Sequence, residues 1–283
     1  MALPSPPSAG ERWPPLESTP EVFNQFMWSL GVPENEAEFH DVYGLDADEL
    51  DMVPQPVLAV ILCFPDPPQD ASYPSDLLLS YGEKETGGQV YFVKQIASLG
   101  NACGTIALIH AVGNSSSEIN LGTYLVFCGG EFMLGLVLQI NCWHGPIQGA
   151  CFRALFLEKD DAMARAHSLA ATVSQREKNK PKILSDFFVA ILLIMTWVHF
   201  CQLCDVVEEH YICFVAVNGT LNELDGMKDG PITHGSSSSK SLLQDAVPVI
   251  KRIMCNIPDF INFNLMVLSR KQNNAGTTSY ASD

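Results

Sequence analysis

Cys103 stands near the start of an apolar run, 101–109 (NACGTIALI), that has the residue types of a helix. A thiol in the first turn of a helix meets the positive end of the helix dipole and unpaired backbone N–H groups. Both favour the thiolate, the nucleophilic form of cysteine. Taken alone, the same residue also fits a small core hydrophobe, so the chemistry depends on partners elsewhere in the chain. A thiol nucleophile needs an imidazole to take and return a proton, and a group to orient that imidazole. His210 opens a β-branched and aromatic run, 210–217 (HYICFVAV). Asn218-Gly219 reads as a hairpin turn. Residues 220–224 return as the partner strand, and Asp225-Gly226 closes it. A tight hairpin sets two strands side by side, so His210 and Asp225 are predicted to meet. Gln95 lies upstream of Cys103. Its amide could join the Cys103 backbone N–H in holding an oxyanion, for which a preorganised donor is worth roughly 3 kcal/mol.

The elements that must position these groups follow from periodicity and punctuation. Residues 20–30 read as a helix, with Thr19 as N-cap and Pro20 in the first turn. Its apolar face is Val22, Phe23, Phe26, Met27 and Leu30, and Gly31 ends it. A second short helix covers 46–52, before Pro54. Residues 57–64 (VLAVILCF) fit a strand buried on both faces. Residues 65–88 read as a loop-rich linker and 89–96 as a second strand. The periodicity of Leu242, Leu243, Ala246, Val249, Ile250 and Ile253 predicts a helix over 241–255, with a kink or a break at Pro248. Residues 262–269 (NFNLMVLS) read as the last strand. One long helix among strands indicates an α/β or α+β domain with a central sheet. Two segments stand apart. Residues 125–151 mix apolar residues and glycines without clean periodicity. Residues 187–204 contain no Asp, Glu, Lys or Arg over 18 positions, the low end of the roughly 17–25 residues that a membrane span needs. A buried or misplaced insertion is favoured over a span, because core-like sequence continues on both sides.

Composition narrows the partners. The 283 residues are 47% hydrophobic and 17% charged, enough for a sizeable core. With 16 basic and 32 acidic residues the chain carries a formal charge of −16. That charge does not suit a phosphate backbone, so no nucleic acid is expected as a ligand. A basic protein surface or a basic peptide tail is a better match. The nine cysteines are odd in number and irregularly spaced, and no basic and apolar leader precedes them. A reducing compartment is predicted: the cytoplasm, with the nucleus as a second location. Cys201 and Cys204 form a lone CxxC without a second pair at zinc spacing, and no metal or cofactor is predicted. The polar ends, 1–11 and 271–283, read as disordered tails.

Several segments together resemble one family. They are 12–17 (RWPPLE), 39–45 (FHDVYGL), 52–60 (MVPQPVLAV), 90–95 (VYFVKQ), 101–111 (NACGTIALIHA), 156–161 (FLEKDD), 210–214 (HYICF) and 218–235 (NGTLNELDGMKDGPITHG), with Leu242-Leu243-Gln244-Asp245 and Asn262-Phe263-Asn264. In this order the chain resembles the small ubiquitin carboxyl-terminal hydrolases, and most of all their plant members. The resemblance implies an α-β-α fold. Its central, mostly antiparallel sheet is flanked by helices in a papain-like arrangement, with a knotted backbone and a loop crossing the active site. It implies one catalytic domain over 12–270. It implies hydrolysis of an amide, ester or thioester at the C-terminal glycine of ubiquitin. Cys103 matches the nucleophile, His210 the general base, Asp225 the orienting acid and Gln95 the oxyanion-hole glutamine. Glu17, Glu21 and Asp41 match acids that meet the arginines of the ubiquitin tail. A further family acid is replaced by Phe260, beside Asp259. Ubiquitin is the implied partner, and a monomer the expected state.

The chain departs from the family at three places. Seven residues, 96–102, separate Gln95 from Cys103 where the family has five. Catalytic groups tolerate displacement of only about 0.5 Å, so the extra turn either displaces Gln95 or bulges away from it. Residues about 125–151 replace a family helix. Residues about 181–203 lengthen the crossover loop. Asn222 and Met227 stand where the family has tyrosine and arginine. An active deubiquitinase is the expectation. The alternative is a catalytically impaired isoform that still binds ubiquitin.

Overall fold

The apolar run Val57–Pro65 forms strand β2, with its first seven residues, 57–63, buried. A strand can bury every side chain only if layers cover both faces of its sheet. The computed structural model describes residues 13–65, 90–119, 125–128, 131–134, 150–178, 209–257 and 262–271. The tail 1–11, nearly all of the tail from 271, residues 66–89 of the expected linker and the crossover segment with the uncharged stretch 187–204 lie outside the described residues. So do the Cys201/Cys204 pair, Asp259 and Phe260.

In chain order the elements are helix α1 (Pro20–Ser29), β1 (Ala37–Asp41), α2 (Ala47–Asp51), β2, and a 3₁₀ turn at Ala97–Leu99. Then come α3 (Cys103–Asn114), β3 (Leu125–Cys128), β4 (Glu131–Leu134), α4 (Ala150–Glu158) and α5 (Asp161–Lys178). The chain continues with β5 (Glu209–Val217), β6 (Thr220–Leu224), β7 (Ile232–Ser236), α6 (Leu242–Cys255) and β8 (Asn264–Arg270).

Six strands form one sheet in the order β1-β8-β2-β5-β6-β7, and every neighbouring pair is antiparallel. Alternation along the central strands divides the core in two. Ile61 and Cys63 of β2, Tyr211, Cys213 and Val215 of β5, and Met266 and Leu268 of β8 face α1, α3 and α5. Val60 and Leu62, Ile212 and Phe214, and Leu265 and Val267 face α6. The result is the expected α-β-α layering.

Local signals explain most boundaries. The Thr19 hydroxyl accepts from the Val22 N–H, and Pro20 opens α1. The hairpin β5–β6 turns at Asn218 (φ 53°) and Gly219 (φ 77°), the conformation that Asn-Gly favours. Helix α6 runs unbroken through Pro248. That residue is exposed while Val247, Val249 and Ile250 are buried, so the helix face that loses a hydrogen bond is the wet one.

Other parts of the structure differ from expectation or add to it. Residues 90–96 form no strand. Their backbone is satisfied by side chains instead: Asn114 Oδ1 accepts from the Tyr91 N–H at 2.8 Å, His110 Nε2 from the Val93 N–H at 2.9 Å, and Arg153 donates to the Phe92 carbonyl at 2.7 Å. With those groups taken, no sheet partner is needed. Residues 125–128 and 131–134 pair as a small antiparallel ribbon. The edge strands β1 and β7 were not legible in the sequence, because each is only five residues long and polar on its open side.

Candidate active site

Cys103 is the first residue of α3, and no side chain caps that end. The helix start is nevertheless held firmly. Thr105 Oγ1 lies 2.6 Å from His167 Nδ1, and His167 Nε2 donates to the Pro14 carbonyl at 2.6 Å. All of Thr105–Val112 is buried. A Cβ added to Gly104 would stand 3.3 Å from Leu16, so the 13–17 segment packs directly over the first turn. The Tyr211 hydroxyl fixes that segment by donating to the Leu16 carbonyl at 2.9 Å.

The imidazole comes from the sheet. His210 is 8% exposed and meets the Phe64 ring edge-on, with centroids 5.5 Å apart. The register Cys213 opposite Leu224 carries Asp225 back beside it. His210 Nε2 donates to Asp225 Oδ1 at 2.8 Å, and the same oxygen accepts from the Met227 N–H at 2.9 Å. This leaves Nδ1 as the ring nitrogen for the sulfur. Cys103 acts on the ring as a hydrogen-bond partner and as a charge. Burial opposes the imidazolium, but Asp225 and Cys103 outweigh it and raise the His210 pKa to about 10. Burial also works against the Asp225 carboxylate, yet His210 holds its pKa below the usual value. The Cys103 thiol points at the Glu209 carbonyl, 3.6 Å away. A histidine beside a thiol supplies the base that a cysteine nucleophile needs.

Gln95 is tied at two points. Its backbone N–H donates to the Gly226 carbonyl at 2.8 Å, and its side-chain Nε2 donates to the Gly100 carbonyl at 2.8 Å. A 3₁₀ turn at Ala97–Leu99 lies between Gln95 and Cys103. Leu99 is fully buried, and Gly100 bridges to Trp13.

Of the three acids matched to a cationic tail, Glu17 lines a cavity, and Asp41 neighbours Glu21 and the cavity residue Asn264. Glu17, Ser18, Cys63, Glu209 and Asn264 line a cavity of about 480 Å³. Asn264 Nδ2 donates to the Ser18 carbonyl at 2.7 Å and also meets Asp41. Burial and then the neighbouring charge of Glu21 raise the Asp41 pKa. Sequence reasoning missed Glu209 and Gly100. Glu209 adjoins His210, and its carboxylate accepts from the Cys63 thiol at 3.7 Å. A glycine just before a helix was the only signal for Gly100. Among the described residues no cluster of three or more His, Cys, Asp or Glu could hold a metal ion. No helix there is long and apolar enough to cross a membrane.

Comparison with known proteins identifies the family. The profile described as ubiquitin carboxyl-terminal hydrolase, family 1, matches residues 13–255. Ubiquitin carboxyl-terminal hydrolase 3 of Arabidopsis thaliana is 38% identical over 96% of this chain and all of its own length. A probable ubiquitin carboxyl-terminal hydrolase of Dictyostelium discoideum is 34% identical over 93% of this chain and 90% of its own. The solved catalytic domain of Trichinella spiralis UCH37, bound to ubiquitin vinyl methyl ester, shares the fold with a TM-score of 0.61. That match covers 93% of this chain and 97% of the other, at 19% identity.

Proposed function

The chain belongs to ubiquitin carboxyl-terminal hydrolase family 1, and from that membership we propose that it is a cysteine deubiquitinase with Cys103, His210, Asp225 and Gln95 as its working groups. The observation that supports the reading is the 2.8 Å bond from His210 Nε2 to Asp225 Oδ1, on an imidazole whose pKa Cys103 also helps to raise.

The Cys103 thiolate attacks the carbonyl carbon of the C-terminal glycine of ubiquitin. The electron pair of the carbonyl moves onto oxygen, and the Cys103 backbone N–H and the Gln95 amide receive that charge. His210 gives its proton to the leaving amine, alcohol or thiol as the bond to carbon breaks. This leaves a thioester between ubiquitin and Cys103. Neutral His210 then takes a proton from water as the water attacks the thioester. Collapse releases the glycine carboxylate and restores the thiolate–imidazolium pair. Asp225 keeps the ring in place through both halves.

Substrate selection rests on charge. The ubiquitin tail carries arginines before its two terminal glycines, and Glu17, Glu21 and Asp41 are the acids that would meet them; Glu17 lines the cavity, and Asp41 neighbours Glu21 and the cavity residue Asn264. The −16 net charge favours approach of a basic partner. The enzyme acts as a monomer in the cytoplasm and nucleus. Four free thiols among the described residues, Cys63, Cys103, Cys213 and Cys255, support a reducing location.

Release of a fluorophore from the ubiquitin C-terminus tests the reading. Wild type should turn over, and Cys103→Ala should lose activity by a factor on the order of 10⁴ or more while still binding ubiquitin. Equal rates for the two proteins would reject it. Ubiquitin binding without turnover by wild type would select the impaired-isoform alternative.

A further inference from the structure

We propose that Gly100 is a positioning residue for the oxyanion hole: its carbonyl clamps the Gln95 side-chain amide. This rests on the hydrolase reading above. The Gly100 carbonyl accepts from Gln95 Nε2 at 2.8 Å. An amide nitrogen carries two N–H groups, so one remains for a developing oxyanion. The amide cannot turn over. Rotating it would set Gln95 Oε1 against the Gly100 carbonyl oxygen, two acceptors with no hydrogen between them. As oriented, Gln95 Oε1 is buried and has no hydrogen-bond partner among the described residues. The amide thus gives up its oxygen's hydrogen bonds to keep its nitrogen in place, which marks orientation of the N–H groups as the feature retained.

The carbonyl reaches Gln95 only because of an unusual backbone. Gly100 has φ 58° and ψ −125°, a conformation open to glycine and strained for other residues. The turn that presents it is anchored on both sides. Leu99 is fully buried, and Gly100 bridges to Trp13. At the other end, the Gln95 N–H holds the Gly226 carbonyl at 2.8 Å, one residue beyond Asp225. Gln95 therefore connects the loop before the nucleophile to the loop after the orienting acid. The longer 96–102 segment supplies the group that holds the glutamine.

A double-mutant cycle tests the clamp with a ubiquitin–fluorophore substrate. Gly100→Ala should lower kcat roughly 10- to 100-fold with KM within about twofold, a loss confined to the transition state. In a Gln95→Ala background the same change should alter kcat less than about twofold, because the clamped group is already gone. The alkylation rate of Cys103 by iodoacetamide, which develops no oxyanion, should stay at the wild-type value. Equal losses in both backgrounds, a rise in KM at constant kcat, or a slowed alkylation would overturn the clamp. Should Gly100→Ala fail to fold, an amide-to-ester exchange at the Gly100–Asn101 linkage takes its place, with the same expectations. It weakens the carbonyl as acceptor and leaves the chain path intact. Absence of turnover by wild type would reject the hydrolase reading itself, whereas an additive cycle in an active enzyme rejects only the clamp.

Discussion

His210 Nε2 and Asp225 Oδ1 lie 2.8 Å apart, with side chains only 11% and 9% exposed. Two groups so shielded that face one another shift each other's titration in opposite directions. The His210 pKa is raised from 6.5 to about 10, and that of Asp225 is lowered from 3.8. The stabilisation from His210 is complete below its unfolded value of 6.5 and is lost as pH rises through about 10. The contribution from Asp225 is present above 3.8 and is lost as pH falls through its depressed folded value.

The pH–rate profile should carry this pair. The alkaline limb of kcat/KM is expected near pH 10, where the imidazolium loses its proton. Asp225→Asn keeps a hydrogen-bond partner but removes the charge, and should move that limb down by about one unit or more. Initial rates across a buffer series measure it. An unmoved limb would mean that another group sets the imidazole.

Asp41 should show a conflict between stability and binding. Burial and the charge of Glu21 raise its pKa, so its ionised form is unfavourable in the folded protein. A carboxyl with a raised folded pKa lowers stability as pH rises past its ordinary value. Asp41→Asn is therefore expected to leave the melting temperature at pH 7 unchanged or higher. The same variant should raise KM for ubiquitin substrates about five- to tenfold, for loss of about 1 kcal/mol of charge pairing. A fall in both stability and affinity would contradict this balance.

Two buried histidines should make the fold acid-sensitive. Burial lowers the pKa of His110 and of His167 to about 4 each. Between their unfolded value of 6.5 and about 4, the unfolded chain binds protons that the folded chain refuses. Unfolding free energy should therefore fall with pH in that range, with each histidine contributing up to about 1.4 kcal/mol per pH unit. His167→Gln retains a donor for the Pro14 carbonyl and an acceptor for Thr105, and should flatten the slope by one proton. Urea titrations at several pH values read this out directly.

Much of the fold was legible because it rests on local signals. Thr19 and Pro20 mark the start of α1, the apolar run at 57–64 marks a doubly covered strand, and Asn218-Gly219 marks the hairpin that returns Asp225 to His210. The strand expected over 89–96 failed for a reason no window of sequence contains. Asn114, His110 and Arg153 come from other elements and take the hydrogen bonds that a neighbouring strand would have made.

Residue types and their order by themselves determined the candidate nucleophile, its imidazole and its acid, since these depend on chemistry and on a two-residue turn. Whether the seven residues before Cys103 would displace Gln95 was left open by the sequence. The tertiary structure shows what holds Gln95: the buried side chain of Leu99, the bridge from Gly100 to Trp13 and a carbonyl 2.8 Å from the Gln95 amide. Propensity and periodicity act over a few residues. The direction of a carbonyl is set by packing between segments far apart in the chain, and hydrogen bonding is sensitive to that direction on the scale of tenths of an ångström.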